Sequence, residues 1–516
     1  MKTHSVNAVI SDGEVFAVKT LNVLDLLKEK STTPLETEVW GTEIYFMTSG
    51  TTGNAKLCAY NAENIYYQVK DSVKAITTCK PIQAHYNGEL KLLMLLPLYH
   101  IFGFIANFMW FTLMSRTFVF LKDLKPQTLL STVKRHKVTH VFAVPLVWNA
   151  IYKEAVKKIK ARGEKTYQKA LKGLRLSVNF GKLGKMLTKS AFSEVRSNIF
   201  GDSIQFCITG GGAIKKEVLE FFNGIGYHLT NGFGMTEVGV TGVELSTSAK
   251  ERVLGSIGNP FASVQYKINE KGELTVKSKG MAYKILVGDK TLITDYNEFF
   301  NTKDLAKIEK GRYYLCGRVD DLIVAETGEN INPELVESKL LSPLASGVCL
   351  FADKLNTPTL IVSVENRLTA AAFKKLQEET AALLEENNLQ TQIKKVVFVS
   401  DALMEKGDFK VSRKKIATKY NNGFFTVINP LKMEEEKEEL LSATEEKVIS
   451  IFASVLNINK EQISKEHNFF TDLSGSSLEY FTLVDEIGLA FNKTITQKEG
   501  EPLLTPNDFC KYLNEN

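Results

Sequence analysis

The sequence has few cysteines and no pattern that pairs them. Its 516 residues include six cysteines, and no two form a C-x-x-C motif. The chain therefore predicts neither a zinc site nor a disulfide framework, and we expect a reducing compartment such as the cytoplasm. The N-terminal segment lacks the apolar core of a signal peptide. Zinc-finger, RRM and KH patterns are also missing, which argues against nucleic-acid binding.

The longest apolar run is interrupted, so it does not predict a stable membrane span. Residues 92–114 are apolar enough to imitate one, but polar or helix-breaking residues divide them. These residues are Pro97, Tyr99, His100, Gly103 and Asn107. The run predicts a buried strand over Leu92–Leu96, then a turn, then a buried helix.

Charge is divided unevenly along the chain. Residues 433–516 contain 17 acidic and 7 basic side chains, a net charge of −10. Because the whole chain carries +5, residues 1–432 carry +15. With 44% hydrophobic residues and this length, the chain predicts several domains with ample cores. A basic body with an acidic tail raises nucleic-acid binding as a first alternative, and it would also favour docking of the tail on the body.

A loop rich in glycine and hydroxyl groups follows the strand-like run at residues 44–47. Its two glycines leave successive backbone N–H groups able to point at one anion, four hydroxyls add donors, and a lysine adds charge. The loop residues with these properties are Thr48, Ser49, Gly50, Thr51, Thr52, Gly53 and Lys56. The spacing differs from the Walker pattern G-x-x-x-x-G-K-(S/T). The loop predicts a phosphate cradle, with a solvated surface turn as the alternative.

This loop resembles T-S-G-T-T-G-x-P-K-G, the signature of the adenylate-forming (AMP-binding) superfamily. Ala55 stands where proline is usual and Leu57 where the last glycine is usual. Further elements recur downstream in the family's order. Together they resemble a long-chain fatty acyl ligase fused to a C-terminal phosphopantetheine acyl carrier domain.

The resemblance implies three domains. An α/β large N-terminal adenylation domain would occupy residues 1–319 and be trimmed at its N-terminus, since only about 45 residues precede the loop. A small α+β C-terminal lid domain would occupy residues 320–428. A linker at 429–442 would lead to an all-α four-helix carrier domain at 443–516. Within the first domain, strands at 118–121 and 140–144 flank a helix at 127–136, which predicts a parallel sheet.

Two elements would belong to the acid-binding site. The segment from Pro97 to Gly103 resembles P-L-x-H-x-x-G, and by that likeness His100 lies beside the acyl carboxylate and helps to gate the pocket. A lone histidine in an apolar run is otherwise more often a core residue. The turn containing Gly211, Gly212 and Ala213 is similar to S-G-G-A-P, which lines the acyl and adenine site in relatives.

A lysine-rich helical region extends from Lys153 to Lys189. It is similar to the corresponding region of long-chain fatty acyl ligases. Either it is a solvated helical face, or it is a landing surface for an acidic partner or an anionic membrane.

The segment from Asn231 to Glu237 resembles N-x-Y-G-x-T-E. By that likeness Phe233 stacks on adenine, Thr236 hydrogen-bonds a phosphate, and Glu237 holds magnesium, while Asn231 and Gly234 complete the cofactor-binding element. The residue types suit these roles, because an aromatic ring offers a stacking face and a carboxylate is a hard oxygen ligand.

The later elements complete the nucleotide site. Asp304 follows Lys303, which replaces the glycine of a T-G-D element, and would accept hydrogen bonds from the ribose. Arg318 would contact the nucleotide, and Asp320 would be the hinge of the lid domain. Lys410 matches the lysine of G-K-(I/V)-x-R, with Phe409 in place of glycine, and is the candidate catalytic lysine. Neighbouring lysines at 406, 414 and 415 keep that choice open.

The C-terminal region has the pattern of a carrier. Glu445–Leu456 predicts an amphipathic helix. The segment around Ser477 resembles D-L-G-x-D-S-L, with Ser476 in place of the aspartate, so Ser477 would carry 4′-phosphopantetheine. A serine at a helix N-cap is the alternative.

The resemblance as a whole implies ATP-dependent activation of a carboxylic acid to acyl-AMP and transfer to the chain's own carrier, with ATP, Mg²⁺ and 4′-phosphopantetheine as cofactors. Its partners would be the acid, a phosphopantetheinyl transferase and downstream acyl-processing enzymes. Amino-acid-activating relatives carry an aspartate near the P-L-x-H element, and none lies between Leu92 and Lys122, which favours a fatty or aryl acid.

Three alternatives remain open from the sequence. The first is a CoA ligase with an accessory carrier, and the second is an amino-acid-loading didomain like those of peptide synthetases. The third is a degenerate adenylation body that serves as a carrier scaffold. The substitutions that keep the third open are Ala55, Leu57, Lys303 and Phe409.

Overall fold

The structure is a computed structural model. It describes residues 8–11, 19–22, 42–48, 56–79, 83, 88–180, 192–324, 330–340, 342, 344–364, 368, 370–404, 411–428, 443–456, 458–470, 472–473, 475, 477–493, 495 and 503–515. The chain divides into two compact units. The first comprises residues 1–145, 174–302 and 308–313, and the second comprises 146–173, 303–307 and 314–516.

The described residues form strands and helices in a mixed order. The strands are β1 (Ala8–Ser11), β2 (Lys19–Asn22), β3 (Glu43–Met47), β4 (Lys56–Asn61), β5 (Lys91–Met94), β6 (Thr117–Phe120), β7 (His140–Ala143), β8 (Phe206–Thr209), β9 (Leu229–Met235), β10 (Gly239–Val243), β11 (Asn259–Pro260), β12 (Val264–Ile268), β13 (Glu273–Ser278), β14 (Lys284–Val287), β15 (Lys290–Ile293), β16 (Phe300–Glu309), β17 (Arg312–Arg318), β18 (Ile323–Val324), β19 (Asn330–Ile331), β20 (Gly347–Ala352), β21 (Pro358–Ser363) and β22 (Lys395–Val399). The α-helices are α1 (Ala62–Thr78), α2 (Trp110–Leu113), α3 (Pro126–His136), α4 (Pro145–Ala161), α5 (Glu164–Asn179), α6 (Ser193–Asn198), α7 (Lys216–Gly224), α8 (Ala249–Arg252), α9 (Pro333–Lys339), α10 (Ala370–Glu386), α11 (Arg413–Asn421), α12 (Ala443–Leu456), α13 (Ser477–Phe491) and α14 (Pro506–Glu515).

The first unit is built on a seven-stranded sheet with the strand order β11-β10-β9-β8-β7-β5-β6. The pairs β5/β6, β5/β7, β7/β8 and β8/β9 are parallel, and β9/β10 and β10/β11 are antiparallel. Every residue of β7 and β8 is buried, as expected for parallel strands covered on both faces. The predicted parallel sheet over residues 118–144 is confirmed.

A second sheet of the first unit carries the ends of the glycine-rich loop. Its strand order is β15-β14-β4-β3, and β3 pairs antiparallel with β4 so that Met47 faces Leu57. In the same unit, β12 pairs antiparallel with β13, and β1 and β2 form a parallel pair. The loop therefore connects two adjacent strands of one sheet.

The apolar run over residues 92–114 folds as a strand, a turn and a helical segment. Strand β5 is followed by a π-helix over Gly103–Met109, which continues into α2. Ile105 and Ala106 on the π-helix are fully buried. Where the chain is described, none of its helices has both the length and the apolar character that crossing a bilayer requires.

The second unit contains a small α+β region. Strands β20, β21 and β22 form a three-stranded sheet in that order, with β20/β21 antiparallel and β21/β22 parallel. A hydrophobic core joins this sheet to α9 and α10 through Leu350, Leu360, Val336 and Leu376. A second hydrophobic core contains Phe351 and Ile361 of the same sheet, and the helix α11 packs in it through Ile416.

Residues 443–515 contribute helices and no strand in their described part. The α-helices α12, α13 and α14 are accompanied by a 3-10 helix at Lys460–Gln462. Val448, Phe452, Leu483 and Phe509 are all fully buried in their common core. The predicted helix at 445–456 is confirmed as α12, and its apolar face packs in this core.

Four of the six cysteines are buried thiols, namely Cys58, Cys207, Cys349 and Cys510, and the other two are half-buried. Burial raises the pKa of Cys58 to about 12 and that of Cys510 to about 11. It raises the pKa of Cys207 and Cys349 further still. These side chains behave as small apolar core residues.

Candidate active site

The glycine-rich loop is closed at its base by two hydrogen bonds. The Thr48 amide donates to the carbonyl of Lys56 at 2.9 Å, and the Lys56 amide donates to Thr48 Oγ1 at 3.3 Å. The predicted phosphate-binding residues Ser49, Gly50, Thr51, Thr52 and Gly53 lie outside the described residues. The two ends of the loop are thus fixed side by side where β3 ends and β4 begins.

Lys56, at the end of this loop, pairs with Glu237. Its Nζ lies 2.9 Å from Glu237 Oε1 across 181 residues of sequence. The Glu237 side chain is 6% exposed, whereas that of Lys56 is 33% exposed. Two elements that the sequence assigned to phosphate and to magnesium therefore meet at one point of the first unit.

The turn that carries Thr236 and Glu237 is tied to neighbouring elements. The hydroxyl of Tyr60 donates to the Thr236 carbonyl at 2.9 Å, and the Ala282 amide donates to the Glu237 carbonyl at 3.0 Å. Tyr60 is completely buried, and burial raises the pKa of its hydroxyl well above the usual value. Tyr60 therefore stays a hydrogen-bond donor across the physiological pH range.

Strand β9 places Asn231, Phe233 and Gly234 just before that turn. Asn231 Nδ2 donates to the Gly255 carbonyl at 3.1 Å. A Cβ atom on Gly234 would lie 2.4 Å from the Gly239 carbonyl oxygen, so the strand crossing leaves no room for a side chain. Phe233 is only 7% exposed and packs edge-to-face on Tyr266, with ring centroids 6.3 Å apart. Its predicted stacking on adenine stays a prediction.

A small apolar cleft, with a volume of about 40 Å³, lies beside this turn. Five of its lining residues are glycines, and the others are aromatic or aliphatic. They are Ile101, Phe102, Trp110, Ile208, Gly210, Gly211, Gly232, Phe233, Gly234, Gly239, Val240 and Val243. The glycines allow a ligand to approach the backbone closely, while the larger side chains offer it an apolar surface.

His100 stands at the start of one wall of the cleft, directly before Ile101 and Phe102. Its amide donates to the Pro97 carbonyl at 3.2 Å, and its half-buried ring lies against Tyr99, with centroids 4.7 Å apart. A Cβ atom on Gly103 would come within 2.2 Å of the Pro97 carbonyl oxygen. Pro97, His100 and Gly103 thus belong to one tight turn, in which His100 and Gly103 both contact the Pro97 carbonyl.

Gly211, Gly212 and Ala213 follow β8 and are exposed. Gly211 adopts a φ of +80°, a conformation that favours glycine. A Cβ atom on the preceding Gly210 would lie 3.2 Å from the ring of Phe102. The start of the predicted acyl and adenine turn therefore packs against the segment that follows His100.

In the second unit, the predicted ribose and nucleotide residues form an ion pair. Arg318 Nη1 lies 3.2 Å from Asp304 Oδ1, and the Asp304 side chain is 9% exposed. Lys303 has a φ of +64°, the conformation that a glycine would adopt without strain, and for another residue it costs about 1 kcal/mol. Asp320, the predicted hinge, is exposed within the 3-10 helix Val319–Asp321.

Lys410 lies outside the described residues, but the arginine three positions later is held firmly. Both Glu337 oxygens accept hydrogen bonds from Arg413 Nη2, at 2.7 and 2.8 Å. Arg413 also donates to Asp321 at 3.2 Å and to the Leu350 carbonyl at 2.7 Å. The residue next to the predicted hinge is therefore bonded to the helix that follows the predicted catalytic lysine.

Ser477 is the first residue of α13, one position after the N-cap, so it is not the N-cap serine of the alternative. Its role as the attachment residue stays a prediction. Two positions before it, the Gly475 amide donates to the Phe469 carbonyl at 2.8 Å. A Cβ atom there would lie 2.2 Å from the ring of Phe469. Gly475 thus packs closely against Phe469 near the start of α13.

Comparison with protein families assigns most of the chain. Residues 4–290, more than half of the sequence, match the family described as AMP-binding enzyme. The chain belongs to the AMP-binding enzyme family. Residues 320–421 match the AMP-binding enzyme C-terminal domain, and residues 446–513 match the phosphopantetheine attachment site. The recognised family and the fold class are confirmed.

Individual relatives of this AMP-binding enzyme are distant. The Arabidopsis thaliana long-chain-fatty-acid–(acyl-carrier-protein) ligase AEE15, chloroplastic, is 28% identical over 356 residues, which are 56% of this chain and 46% of that protein. The chain spans about half the length of the curated relatives it matches.

Two solved structures share the fold. The o-succinylbenzoate CoA synthetase of Bacillus subtilis, in complex with its acyl-adenylate intermediate, is 21% identical, with a TM-score of 0.60 and coverage of 80% of this chain and 79% of that chain. The McyG A-PCP structure, complexed with phenylalanyl-adenylate, is 16% identical, with a TM-score of 0.57 and coverage of 97% and 78%.

Sequence reasoning overlooked the residues that hold these motifs in place. Tyr60 and Arg413 are both held by long-range contacts, and their partners lie 176 and 76 positions away. Arg413 occupies the last position of the G-K-(I/V)-x-R pattern, which gives it no partner. The pattern did not show that it meets Glu337.

Proposed function

We propose that this AMP-binding enzyme activates a fatty or aryl acid with ATP and transfers the acyl group to its own carrier domain. The observation that carries the proposal is the Lys56–Glu237 contact beside the apolar cleft. It joins a cation at the end of a glycine-rich loop to a buried carboxylate, on a turn whose next residues line the cleft.

In the first step, a carboxylate oxygen of the acid attacks the α-phosphorus of ATP. The bond from that phosphorus to the bridging oxygen breaks, and pyrophosphate leaves. Lys56 and the loop from Thr48 would hold the departing phosphates, Thr236 would donate to a phosphate oxygen, and Lys410 would neutralise charge at the α-phosphate. Positioning and electrostatic stabilisation supply most of the rate enhancement in such chemistry.

Glu237 fits the role of a magnesium ligand. It is a hard oxygen donor, almost fully buried, and already paired with one cation at 2.9 Å. When bound, the magnesium would offset phosphate charge. Asp304 and Arg318 would bind the ribose and the nucleotide, as the family likeness implies.

The apolar cleft supports an apolar acid. Phe102, Trp110 and Ile208 face it, and the described residues that line it include no charged side chain. An α-ammonium group would find no carboxylate there to pair with, and a buried unpaired charge is costly. A fatty or aryl acid would instead gain from burying its apolar part.

In the second step, a thiol attacks the acyl carbonyl of the adenylate, AMP leaves, and the thiol loses its proton. We propose that this thiol belongs to a phosphopantetheine arm on Ser477. A linker of about 14 residues spans roughly 20 Å, which gives a local concentration on the order of millimolar. The +15 body and the −10 tail would favour the encounter.

The named relatives provide two alternatives within the enzyme class. Free CoA would be the acceptor if the chain acts like the CoA synthetase it resembles, and an amino acid would be the substrate if it acts like the McyG didomain. We also propose a reducing compartment such as the cytoplasm, a dedicated phosphopantetheinyl transferase, and downstream acyl-processing enzymes as partners.

The test is intact-mass analysis of the phosphopantetheinylated chain after incubation with ATP, Mg²⁺ and a mixed pool of acids. We expect an added mass that identifies one fatty or aryl acid. The Ser477→Ala variant should form no acyl-protein while still releasing pyrophosphate, because adenylation does not need the arm. Acyl-protein in Ser477→Ala would contradict the assignment of the serine. Acid-dependent pyrophosphate release that requires free CoA would favour the CoA ligase.

A further inference from the structure

Gln68 is a buried amide that touches both walls of the apolar cleft. It lies in the second turn of α1 and is 2% exposed. A buried amide group must find hydrogen-bond partners within the protein, or its burial is costly. The partners of Gln68 therefore show what the residue holds together.

The side chain of Gln68 holds the turn that joins β9 to β10. Its Nε2 donates to the carbonyls of Gly280, at 2.9 Å, and Val238, at 3.3 Å. Its Oε1 accepts a hydrogen bond from the Val240 amide at 2.9 Å. An amide can make four hydrogen bonds, and Gln68 thus uses two of them on this turn and one on Gly280.

The turn is shaped to receive this amide. Gly239 lies between the two bonded residues with a φ of +76°, and a Cβ atom on it would lie 2.1 Å from Gln68 Nε2. A Cβ atom on Gly280 would lie 2.9 Å from the same nitrogen. Both glycines allow the amide to approach the backbone, which a side chain at either position would prevent.

The backbone of Gln68 reaches the opposite wall. The indole N–H of Trp110 donates to the Gln68 carbonyl at 3.4 Å. Trp110 lines the cleft from α2, and Gly239 and Val240 line it from the turn. One residue of α1 therefore bonds to both sides of the cleft.

We infer that Gln68 is a positioning residue for Glu237 and for the cleft. Val238 follows Glu237 directly, so the bonds from Gln68 fix the turn immediately after the carboxylate. Without them, the turn can shift, and Glu237 moves relative to Lys56 and to bound Mg·ATP. A displacement of about 1 Å at such a site can cost up to about a hundredfold in rate. This inference rests on the proposed function.

The test compares Gln68→Met with Asn64→Leu. Methionine keeps the length of the side chain and removes all three hydrogen bonds. Asn64 is an equally buried amide one turn earlier, which donates to the Lys279 carbonyl at 2.9 Å and to the Tyr296 hydroxyl at 2.7 Å. It supports the same helix but makes no bond to the turn after Glu237 among its described contacts, so it controls for a general loss of stability.

Three quantities are measured for each variant: the urea midpoint, the rise in Tm produced by Mg·ATP alone, and kcat and KM for Mg·ATP in acid-dependent pyrophosphate release. For Gln68→Met we expect KM to rise about tenfold, kcat to fall by a similar factor and the Tm rise to shrink by more than half. For Asn64→Leu we expect a lower urea midpoint, with KM within about twofold of the original value.

Several outcomes would overturn the inference. Unchanged KM, kcat and Tm rise in Gln68→Met would do so, as would an equal loss in Asn64→Leu. If Gln68→Met does not fold, Gln68→Glu carries the same test, because it keeps the length and an acceptor for Val240. Failure of both to fold would also overturn it, since the residue would then be structural. A wild-type chain with no Tm rise would contradict the proposed function itself.

Discussion

Two cation–carboxylate clusters, one in each unit, use the same chemistry in opposite ways. In the first unit, Lys56 makes one contact to Glu237 at 2.9 Å and keeps a third of its side chain exposed. In the second unit, Arg413 is 14% exposed and bonds to Glu337 at 2.7 and 2.8 Å, to Asp321 at 3.2 Å and to the Leu350 carbonyl at 2.7 Å. The Lys56 ammonium can therefore exchange Glu237 for another anion, whereas Arg413 is held by all of its partners at once.

The difference follows from the shapes of the two cations. A lysine ammonium is a compact charge on a flexible stem, and it can leave its partner for another anion at little cost while water replaces the contact. An arginine guanidinium presents several donors in a fixed geometry, and Arg413 uses them at once, with Nη2 on both Glu337 oxygens and Nη1 on Asp321. Its removal therefore leaves two carboxylates without their cation. We therefore expect the lysine pair to matter for activity and the arginine cluster for stability.

The largest expected effect is on the stability of the arginine cluster. Arg413→Met would leave the Glu337 and Asp321 carboxylates without their cation, and breaking a buried pair in this way typically costs about 3–5 kcal/mol. Urea unfolding measures this loss in the free energy of unfolding. The double variant Arg413→Met/Glu337→Leu should recover much of that loss, and a single-variant loss below about 1 kcal/mol would show that the cluster is as replaceable as the lysine pair.

The next effect is on activity in the first unit. Glu237→Gln keeps the size of the side chain and removes the charge that would bind magnesium. We expect acid-dependent pyrophosphate release to fall by about a hundredfold or more, in the range found when one electrostatic contact to a transition state is removed. The urea midpoint should remain nearly unchanged. If Glu237→Gln were as active as the original enzyme at every Mg²⁺ concentration, the assignment of Glu237 as a magnesium ligand would be wrong.

The smallest effect is on stability in Lys56→Met. Although the Glu237 side chain is 6% exposed, a third of the Lys56 side chain is exposed, so water can take the place of the ammonium and solvate the carboxylate. We therefore expect the variant to lose less than about 1 kcal/mol of unfolding free energy. The same variant should raise KM for Mg·ATP about tenfold, since the phosphates would lose one cation. A stability loss equal to that of Arg413→Met would erase the contrast between the two clusters.

The sequence predicted the local elements well where a motif folds within itself. Pro97, His100 and Gly103 form one turn, and the helix at 445–456 lies where its apolar period indicates. It also placed Lys56 and Glu237 in one family site, and the structure brings those two side chains into contact. Their individual catalytic roles stay predictions.

What the sequence could not show depends on contacts between distant segments. Gln68 meets Val238 and Gly280 across 170 and 212 positions, and no periodicity encodes such a meeting. The burial of Phe233 against Tyr266 was equally invisible, because an aromatic residue in a nucleotide motif fits both stacking and core packing.

The burial of most sulfur atoms has a practical consequence. Cys58, Cys207, Cys349 and Cys510 are inaccessible and keep their protons at neutral pH. An alkylating reagent attacks thiolates that it can reach, so the half-buried Cys79 and Cys316 are the native thiols open to it. A prosthetic arm on Ser477 would end in a solvated thiol of ordinary acidity. Labelling the intact chain before and after modification would thus report the arm as one thiol added to a background from at most two cysteines, Cys79 and Cys316.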